Sequence, residues 1–338
     1  MEKNFLIIQT AFIGDVVLVT PLIEGLKKAF PQSRVDFMVI PGTKNLLENN
    51  PFVDDILVFD KYGRHKGISE MSRIVGTLRK KRYTHALVPH RSIRSALVAK
   101  LGAVPRRIGF NRSAGWFLFT DKVYYSRNIH EVERNFSLLK PLGIDAPPCP
   151  PRIFPDSGDQ ELVSRFLTLR GVKDGDTLVA LAPGSAWPTK RWPPEGFIEV
   201  AYRLSGLRIR VILIGGRADR LLCDEIGGQV KDRIINAAGR LTLRQTAELL
   251  RRCRVLVAND SAPVHLAVAM GTRVIAIFGP TIPGFGFYPY GEGHRIIEKD
   301  LACRPCGIHG GMECPIGTHE CMKAISADEI IERIVDYL

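Results

Sequence analysis

The sequence predicts an α/β protein made of two successive doubly wound units, each with a parallel sheet. Three observations carry this. Short apolar runs alternate with longer amphipathic stretches; the scheme runs through twice in 338 residues; and the Pro-rich segment Ala146-Pro147-Pro148-Cys149-Pro150-Pro151 separates the two rounds. Strands that are apolar throughout, with helical stretches between them, read as a sheet covered on both faces. Proline fixes φ and lacks a donor, so the Pro-rich stretch continues neither a helix nor a central strand and reads as a stiff linker. Domains are expected over residues 1–150 and 151–325, followed by a terminal helix over 326–338 that packs back towards the first domain.

In the first half the strand candidates are residues 5–9, 35–40, 56–59 and 85–89, and the helical patterns are 16–29, 68–81 and 93–101. In the second half the strands are 178–182, 211–214, 255–258 and 274–278, and the helices are 195–205, 243–252 and 264–270. Thr242 with Gln245, and Ser326 with Glu329, have the spacing of capping boxes. Ile330, Ile331, Ile334 and Val335 then repeat at helical spacing in the terminal segment. In open sheets of this kind ligands bind at the carboxyl ends of the strands, so the chemistry is sought in the loops that follow them.

Apolar content is ample for two cores. No apolar stretch reaches the roughly eighteen residues of a membrane span, and Met1-Glu2-Lys3-Asn4 leads straight into a strand without a signal peptide, so a cytoplasmic protein is expected. Seven cysteines, an odd number, argue against a disulfide framework. The net charge of +12 is concentrated: from Arg64 to Arg134 there are sixteen Lys and Arg against four Asp and Glu. A nucleic acid, an anionic lipid surface or a phosphorylated substrate would each suit that sign, as would a merely solvated face. The segment has no zinc-finger or RNA-recognition motif and no interleaved aromatics, which speaks against nucleic acid.

Three loops stand out. The segment from Gln9 to Val17 ends the first strand, and Asp15 opens a helix there, placed either as a general base towards a hydroxyl or as an ordinary cap. Its glycine spacing is not the G-x-G-x-x-G of a dinucleotide site. Ala182-Pro183-Gly184-Ser185 with Thr189, Lys190 and Arg191 brings a glycine, two hydroxyls and two cations into one loop, a set suited to a diphosphate although it is not a Walker loop. Asn259-Asp260-Ser261-Ala262-Pro263-Val264-His265 reads as a strand end, a turn and a helix N-terminus, whose unpaired N–H groups and dipole favour an anion. Asp260 and Ser261 serve a ligand there or only cap the helix, and His265 falls one turn further along the same face.

Ile13-Gly14-Asp15, Arg107-Ile108-Gly109-Phe110, His130-Glu131-Val132-Glu133-Arg134-Asn135, Pro183-Gly184-Ser185 with Lys190-Arg191-Trp192-Pro193, and Asn259-Asp260-Ser261 with His265 occur in this order over nearly the whole chain. Together they resemble the ADP-heptose:lipopolysaccharide heptosyltransferase family, glycosyltransferase family 9, and within it the type II members. The resemblance implies a GT-B fold of two Rossmann-like domains facing a central crevice, the acceptor in the first and the nucleotide sugar in the second. It implies inverting, metal-independent transfer of heptose from ADP-heptose to the lipopolysaccharide inner core, as the second heptose. Asp15 then matches the general base, and Lys190 the group that stabilises the departing ADP. Ser185, Thr189, Lys190, Asp260, Ser261, Ala262 and His265 match the donor site; many relatives carry glycine where this chain has Ala262, which puts a backbone contact to phosphate there in question. Arg91, Arg94, Arg106 and Arg107 are expected to meet the phosphates and carboxylates of a Kdo-lipid A or heptosyl-Kdo-lipid A acceptor. The enzyme would work peripherally on the inner face of the inner membrane.

Cys303, Cys306, Cys314 and Cys321, with His309 and His319 nearby, fall within nineteen residues. They read either as ligands of a structural zinc or as reduced thiols packing a Gly/Pro-rich loop. No cofactor is expected for the reaction. Two other functions compete: a GT-B transferase for another nucleotide sugar or surface glycan, and a basic nucleic-acid-binding protein, which leaves the second-half loops without a role.

Overall fold

A computed structural model describes residues 3–60, 68–207, 209–230 and 234–338, so Arg64 and Lys66 of the basic segment lie outside the described residues. The chain divides into two compact units, Met1–Phe154 and Pro155–Leu338. The first unit runs β1 (Asn4–Ile8), α1 (Ile13–Ala29), β2 (Arg34–Val39), β3 (Asp55–Val58), α2 (Ile68–Lys81), β4 (His85–Val88), α3 (Ile93–Leu101), β5 (Arg106–Phe110), β6 (Asp121–Val123) and α4 (Glu131–Phe136). The second runs α5 (Ser157–Thr168), β7 (Leu178–Ala182), α6 (Pro194–Gly206), β8 (Arg210–Leu213), α7 (Arg220–Gln229), β9 (Ile234–Asn236), α8 (Leu243–Arg251), β10 (Val255–Asn259), α9 (Ala262–Ala269), β11 (Arg273–Phe278), β12 (Arg295–Glu298), α10 (Glu320–Lys323) and α11 (Ala327–Val335).

Among the described residues each unit holds one six-stranded sheet, in the orders β3-β2-β1-β4-β5-β6 and β12-β11-β10-β7-β8-β9, with every pairing parallel. Counted from the first strand of each unit, both orders are the doubly wound 3-2-1-4-5-6. The chain order reverses between β1 and β4 in one sheet and between β7 and β10 in the other. Those two switch points are where a doubly wound sheet leaves a crevice at its strands' carboxyl ends.

The central strands are the most apolar because both of their faces are covered. Phe5, Leu6, Ile7 and Ile8 of β1 and Val255, Leu256, Val257 and Ala258 of β10 are fully buried. Ile7 lies in register with Phe37 and Leu87, and Val257 with Leu181 and Ile275. Burying one such side chain stabilises by about 1.5–3 kcal/mol. Helix α1 tolerates Pro21 in its interior. The Val17 carbonyl, which would otherwise accept from residue 21, accepts from Thr20 Oγ1 at 2.8 Å instead. The same hydroxyl accepts from the Arg152 N–H at 3.1 Å, tying the end of the Pro-rich segment to this helix.

Both expected capping boxes form, at Thr242 with Gln245 and at Ser326 with Glu329. Ile330 and Ile334 of the terminal helix α11 are fully buried in the core of the second unit, beside Met322 and Trp192. Elements with weak apolar signals emerge only in the structure. β5 starts on Arg106 and Arg107, β6 and β9 are three residues each, and α5 starts from Asp156 directly after the prolines, where a reciprocal box with Asp159 sets its first turn.

Candidate functional site

At the switch point of the second sheet, β7 and β10 are adjacent and their loops leave side by side. The loop after β7 carries Lys190 and the loop after β10 carries Asp260. Lys190 Nζ lies 2.5 Å from Asp260 Oδ2 and 3.3 Å from the Asp260 carbonyl oxygen. Asp260 Oδ2 also accepts from Thr281 Oγ1 at 2.7 Å, which joins the loop after β11 to the other two. An ammonium has three donors, and two are used on Asp260. Among the described residues the third has no protein partner.

Two further side chains fix the loops beneath this pair. Asn259 at the end of β10 donates to the Pro183 carbonyl at 2.8 Å and accepts from the Trp192 N–H at 3.0 Å. Arg191 donates through Nε and a terminal nitrogen to the Ser185 carbonyl at 2.9 and 2.7 Å. Gly184 is required by close approach: a Cβ there would stand 2.2 Å from Asp219 Oδ1.

Helix α9 begins at Ala262, with Ser261 as its N-cap residue in extended backbone, and no side chain caps it. Ser261 Oγ donates to the Asn259 carbonyl at 3.2 Å, and Asp260 is turned to Lys190 and Thr281. Neither residue therefore acts as the cap that its position allowed. The N-terminus of α9 is left with its partial positive charge beside Lys190. His265 is buried one turn beyond Ser261. Ser185 and Thr189 are also buried. Thr189 Oγ1 donates to the Gly311 carbonyl at 2.9 Å and accepts from the Gly311 N–H at 2.8 Å, so this hydroxyl clamps the Cys-rich loop. Among the described residues Ser185 Oγ has only a long contact, 3.4 Å, from the Trp187 N–H.

At the switch point of the first sheet Asp15 is the third residue of α1, partly buried. Loss of hydration pushes its carboxyl from an ordinary 3.8 up to about 6, against the opposing pull of the Phe12 and Asp15 N–H groups and of the Arg91 charge. The loop after β4 lies beside it, where the His90 ring contacts Thr10 and Ser95 hydroxyls at 3.1 and 3.0 Å. Glu131, at the start of α4, is a second carboxyl raised by burial, to about 7, and the neighbouring Asp15 charge adds to the rise. It pairs with Arg134, whose guanidinium is 1% exposed and also donates to the carbonyls of Ser126 at 2.7 Å and Ile129 at 2.8 Å.

The four arginines expected at an acceptor divide into two pairs. Arg91 and Arg94 are exposed, Arg91 stacking over Tyr125 at 4.5 Å. Arg106 and Arg107 are engaged within their own unit. Arg106 pairs with Asp121 at 2.9 Å and donates to the Pro141 carbonyl, and Arg107 donates to the carbonyls of Leu118, Val104 and Pro105. Cys303, Cys306, Cys314 and Cys321 are free thiols. Among the described residues no group of three or more His, Cys, Asp or Glu is placed to hold a metal ion. The ring of His319 contacts the Thr189 carbonyl at 2.8 Å, and the His319 backbone N–H donates to Cys314 Sγ, so this segment braces the Lys190 loop.

Sequence reasoning assigned no role to Thr281, Asn259 or Glu131. Thr281 and Asn259 lie at the ends of β11 and β10, so a search of all strand ends finds them. Glu131 leaves no such signal, because its proximity to Asp15 depends on how α4 packs against α1.

The family model for "Glycosyltransferase family 9 (heptosyltransferase)" matches residues 71–314. The chain is 27% identical to lipopolysaccharide heptosyltransferase 2 of Salmonella typhimurium over 296 residues, which covers 83% of this chain and 84% of that one. A crystal structure of a glycosyl transferase family 9 protein from Veillonella parvula superposes with a TM-score of 0.88 at 26% identity, covering 99% of this chain and 97% of that one. The structure of E. coli ADP-heptose lipopolysaccharide heptosyltransferase II superposes with a TM-score of 0.82 at 24% identity, covering 100% and 98%.

Proposed function

Because the chain belongs to glycosyltransferase family 9, the heptosyltransferases, we propose that it moves heptose from ADP-heptose to the lipopolysaccharide inner core, adding the second heptose with inversion at the anomeric carbon. The observation that carries the donor half of this reading is the Lys190–Asp260 pair beside the uncapped N-terminus of α9. A diphosphate needs donors and positive charge in a fixed array. Lys190 supplies its remaining N–H and its charge, and the start of α9 supplies the Ala262 N–H and the positive end of the helix dipole, since Pro263 has no N–H and that of Val264 is donated to the Ser261 carbonyl. Ala262 opens that turn, so its Cβ sets how closely phosphate approaches. Ser185, Ser261 and His265 lie around this array, with Ser185 the better candidate of the two loop hydroxyls because that of Thr189 is engaged with Gly311.

In the first unit Asp15 is the base. Its carboxylate takes the proton of the acceptor hydroxyl as that oxygen forms its bond to the anomeric carbon. The bond from that carbon to the ADP oxygen breaks, and the electron pair leaves on the diphosphate, where Lys190 and the α9 N-terminus stabilise it. A carboxyl titrating near 6 is a stronger base than an ordinary aspartate and is still ionised at neutral pH. Attack from the face opposite the leaving group gives inversion. Arg91 and Arg94 are the exposed cations of the acceptor side.

The test is direct. Purified protein is given ADP-heptose with Kdo-lipid A or with its mono-heptosylated form, and the acceptor mass and product anomer are read. The reading expects a heptose added to the mono-heptosylated acceptor with inverted configuration. Transfer only to Kdo-lipid A would reassign the step, and no transfer to either would overturn the acceptor.

A further inference from the structure

Helix α3 carries apolar residues on its solvent side. Ile93, Leu97 and Leu101 recur every fourth residue and are 48, 36 and 38% exposed. Residues four apart share one face of a helix, so these three form a continuous stripe. The opposite face is a normal core face, since Ala96, Val98 and Ala99 are fully buried. The stripe is therefore an addition to a helix that is already anchored.

A second apolar element adjoins it. The short 3-10 turn Trp116–Leu118 packs against the start of α3, close enough that a Cβ on Gly115 would stand 2.6 Å from the Ala96 Cβ and 3.3 Å from the Ile93 Cα. Trp116 and Phe117 project from this turn, 47 and 59% exposed. Two exposed aromatics joined to an apolar helix stripe are more than a scatter of surface residues.

The rim of the patch is basic. Residues 91–127 contain eight Lys and Arg against a single acid, Asp121, which is paired with Arg106. Arg94 and Lys100 extend from the exposed side of α3, and Lys122 sits over the Trp116 ring at 4.6 Å. Aromatic rings flanked by long cationic side chains suit one environment in particular. At a bilayer surface the rings enter the headgroup level and the ammonium groups meet lipid phosphates.

We propose that α3 and the Trp116–Phe117 turn form a docking surface for an anionic phospholipid bilayer, with the aromatic pair and the α3 stripe entering the interface. The charge of the rim selects anionic over zwitterionic lipid. No helix of the described residues is long and apolar enough to cross a membrane, and this face provides a reversible hold instead. The inference rests on the proposed function only in that a lipid-anchored acceptor gives the docking a purpose.

The test uses the full chain and sedimentation with vesicles of phosphatidylcholine alone or with one part in three phosphatidylglycerol. The wild-type protein is expected to partition at least about tenfold more strongly onto the anionic vesicles, and Trp116→Ser/Phe117→Ser or, separately, Leu97→Glu to lower that partition by at least about tenfold. Unchanged thermal midpoints would show that both variants fold. Wild-type protein that ignores anionic vesicles, or folded variants that bind them like wild type, would overturn the proposal. Transfer to a water-soluble, deacylated acceptor separates the two readings. If it proceeds without vesicle binding, only the docking falls; if vesicle binding depends on the aromatic pair but no heptose moves, only the acceptor assignment falls.

Discussion

Lys190 and Asp260 stand seventy residues apart in sequence and 2.5 Å apart in space. They come from the two loops that flank the switch point of the second sheet, and Thr281 binds the same carboxylate oxygen from a third. Asp260 thus aims the ammonium, and the uncapped α9 N-terminus adds to the field at the same place. A charge-assisted hydrogen bond contributes about 1.5–3 kcal/mol, so Lys190→Ala should weaken ADP binding by about tenfold to a hundredfold. Calorimetric titration with ADP measures this, and an unaltered affinity would remove Lys190 from the donor site.

Gly184 makes a second prediction about the same loops. Alanine there would place its Cβ 2.2 Å from Asp219 Oδ1 and 2.3 Å from its Cγ. Asp219 is held by the Gly216 N–H at 2.8 Å and cannot retreat without breaking that bond. Overpacking of this kind costs about 1–3 kcal/mol. Gly184→Ala should therefore lower both the urea midpoint and the ADP affinity. A variant that kept both would show that the loop is softer than its contacts imply.

Much of this was legible in the sequence because it depends on short-range pattern. The strand ends at Ala182 and Asn259 follow from apolar runs that stop at polar turns, and Lys190, Asp260 and Ser261 lie in the loops those runs point to. Packing decided what pattern could not. Thr189 was grouped with the donor residues, and its hydroxyl proves to clamp Gly311, 122 residues away. Arg106 and Arg107 counted as free positive charge, but folding gives them Asp121 and four backbone carbonyls as partners. The short edge strands β6 and β9 are too brief for periodicity to mark.

Asp15 ties pH dependence of rate to pH dependence of stability. As a base it must be ionised, so kcat/KM should rise with pH through about 6 and level above it. Its folded pKa lies above its ordinary 3.8, so the native state binds this proton more tightly than the unfolded chain. Its contribution to stability is therefore fully present below 3.8 and is lost as pH rises through about 6. Asp15→Asn should abolish most turnover, by about a hundredfold or more, with ADP affinity intact. The same variant should be more stable than wild type at pH 8 and not at pH 4. Unchanged turnover would sink its role as base.

The charge that develops on departing ADP is met in this reading by Lys190 and the N-terminus of α9. Chelation by EDTA should accordingly leave the initial rate of transfer unchanged. A rate that falls in EDTA and returns with added magnesium would assign part of that stabilisation to a cation.

Glu131 and Arg134 form a buried ion pair in the first unit, and its expected consequence is structural. Arg134 is almost wholly buried and is held by Glu131 and the backbone carbonyls of Ser126 and Ile129. Removing one partner of a buried pair leaves a charge without its counterion, at a cost of about 3–5 kcal/mol. Glu131→Gln should therefore lower the unfolding free energy measured in urea. The folded carboxyl titrates at about 7, above its ordinary 4.5, so native wild type gains stability by taking up this proton while the variant does not. The loss should accordingly be smallest at pH 8 and grow as pH falls through about 7. The Asp15 titration supplies the second readout. Removing a neighbouring negative charge makes ionisation of Asp15 easier, so the acid limb of kcat/KM should move to lower pH. A limb left in place or displaced to higher pH would mean that Glu131 does not act on Asp15 through its charge.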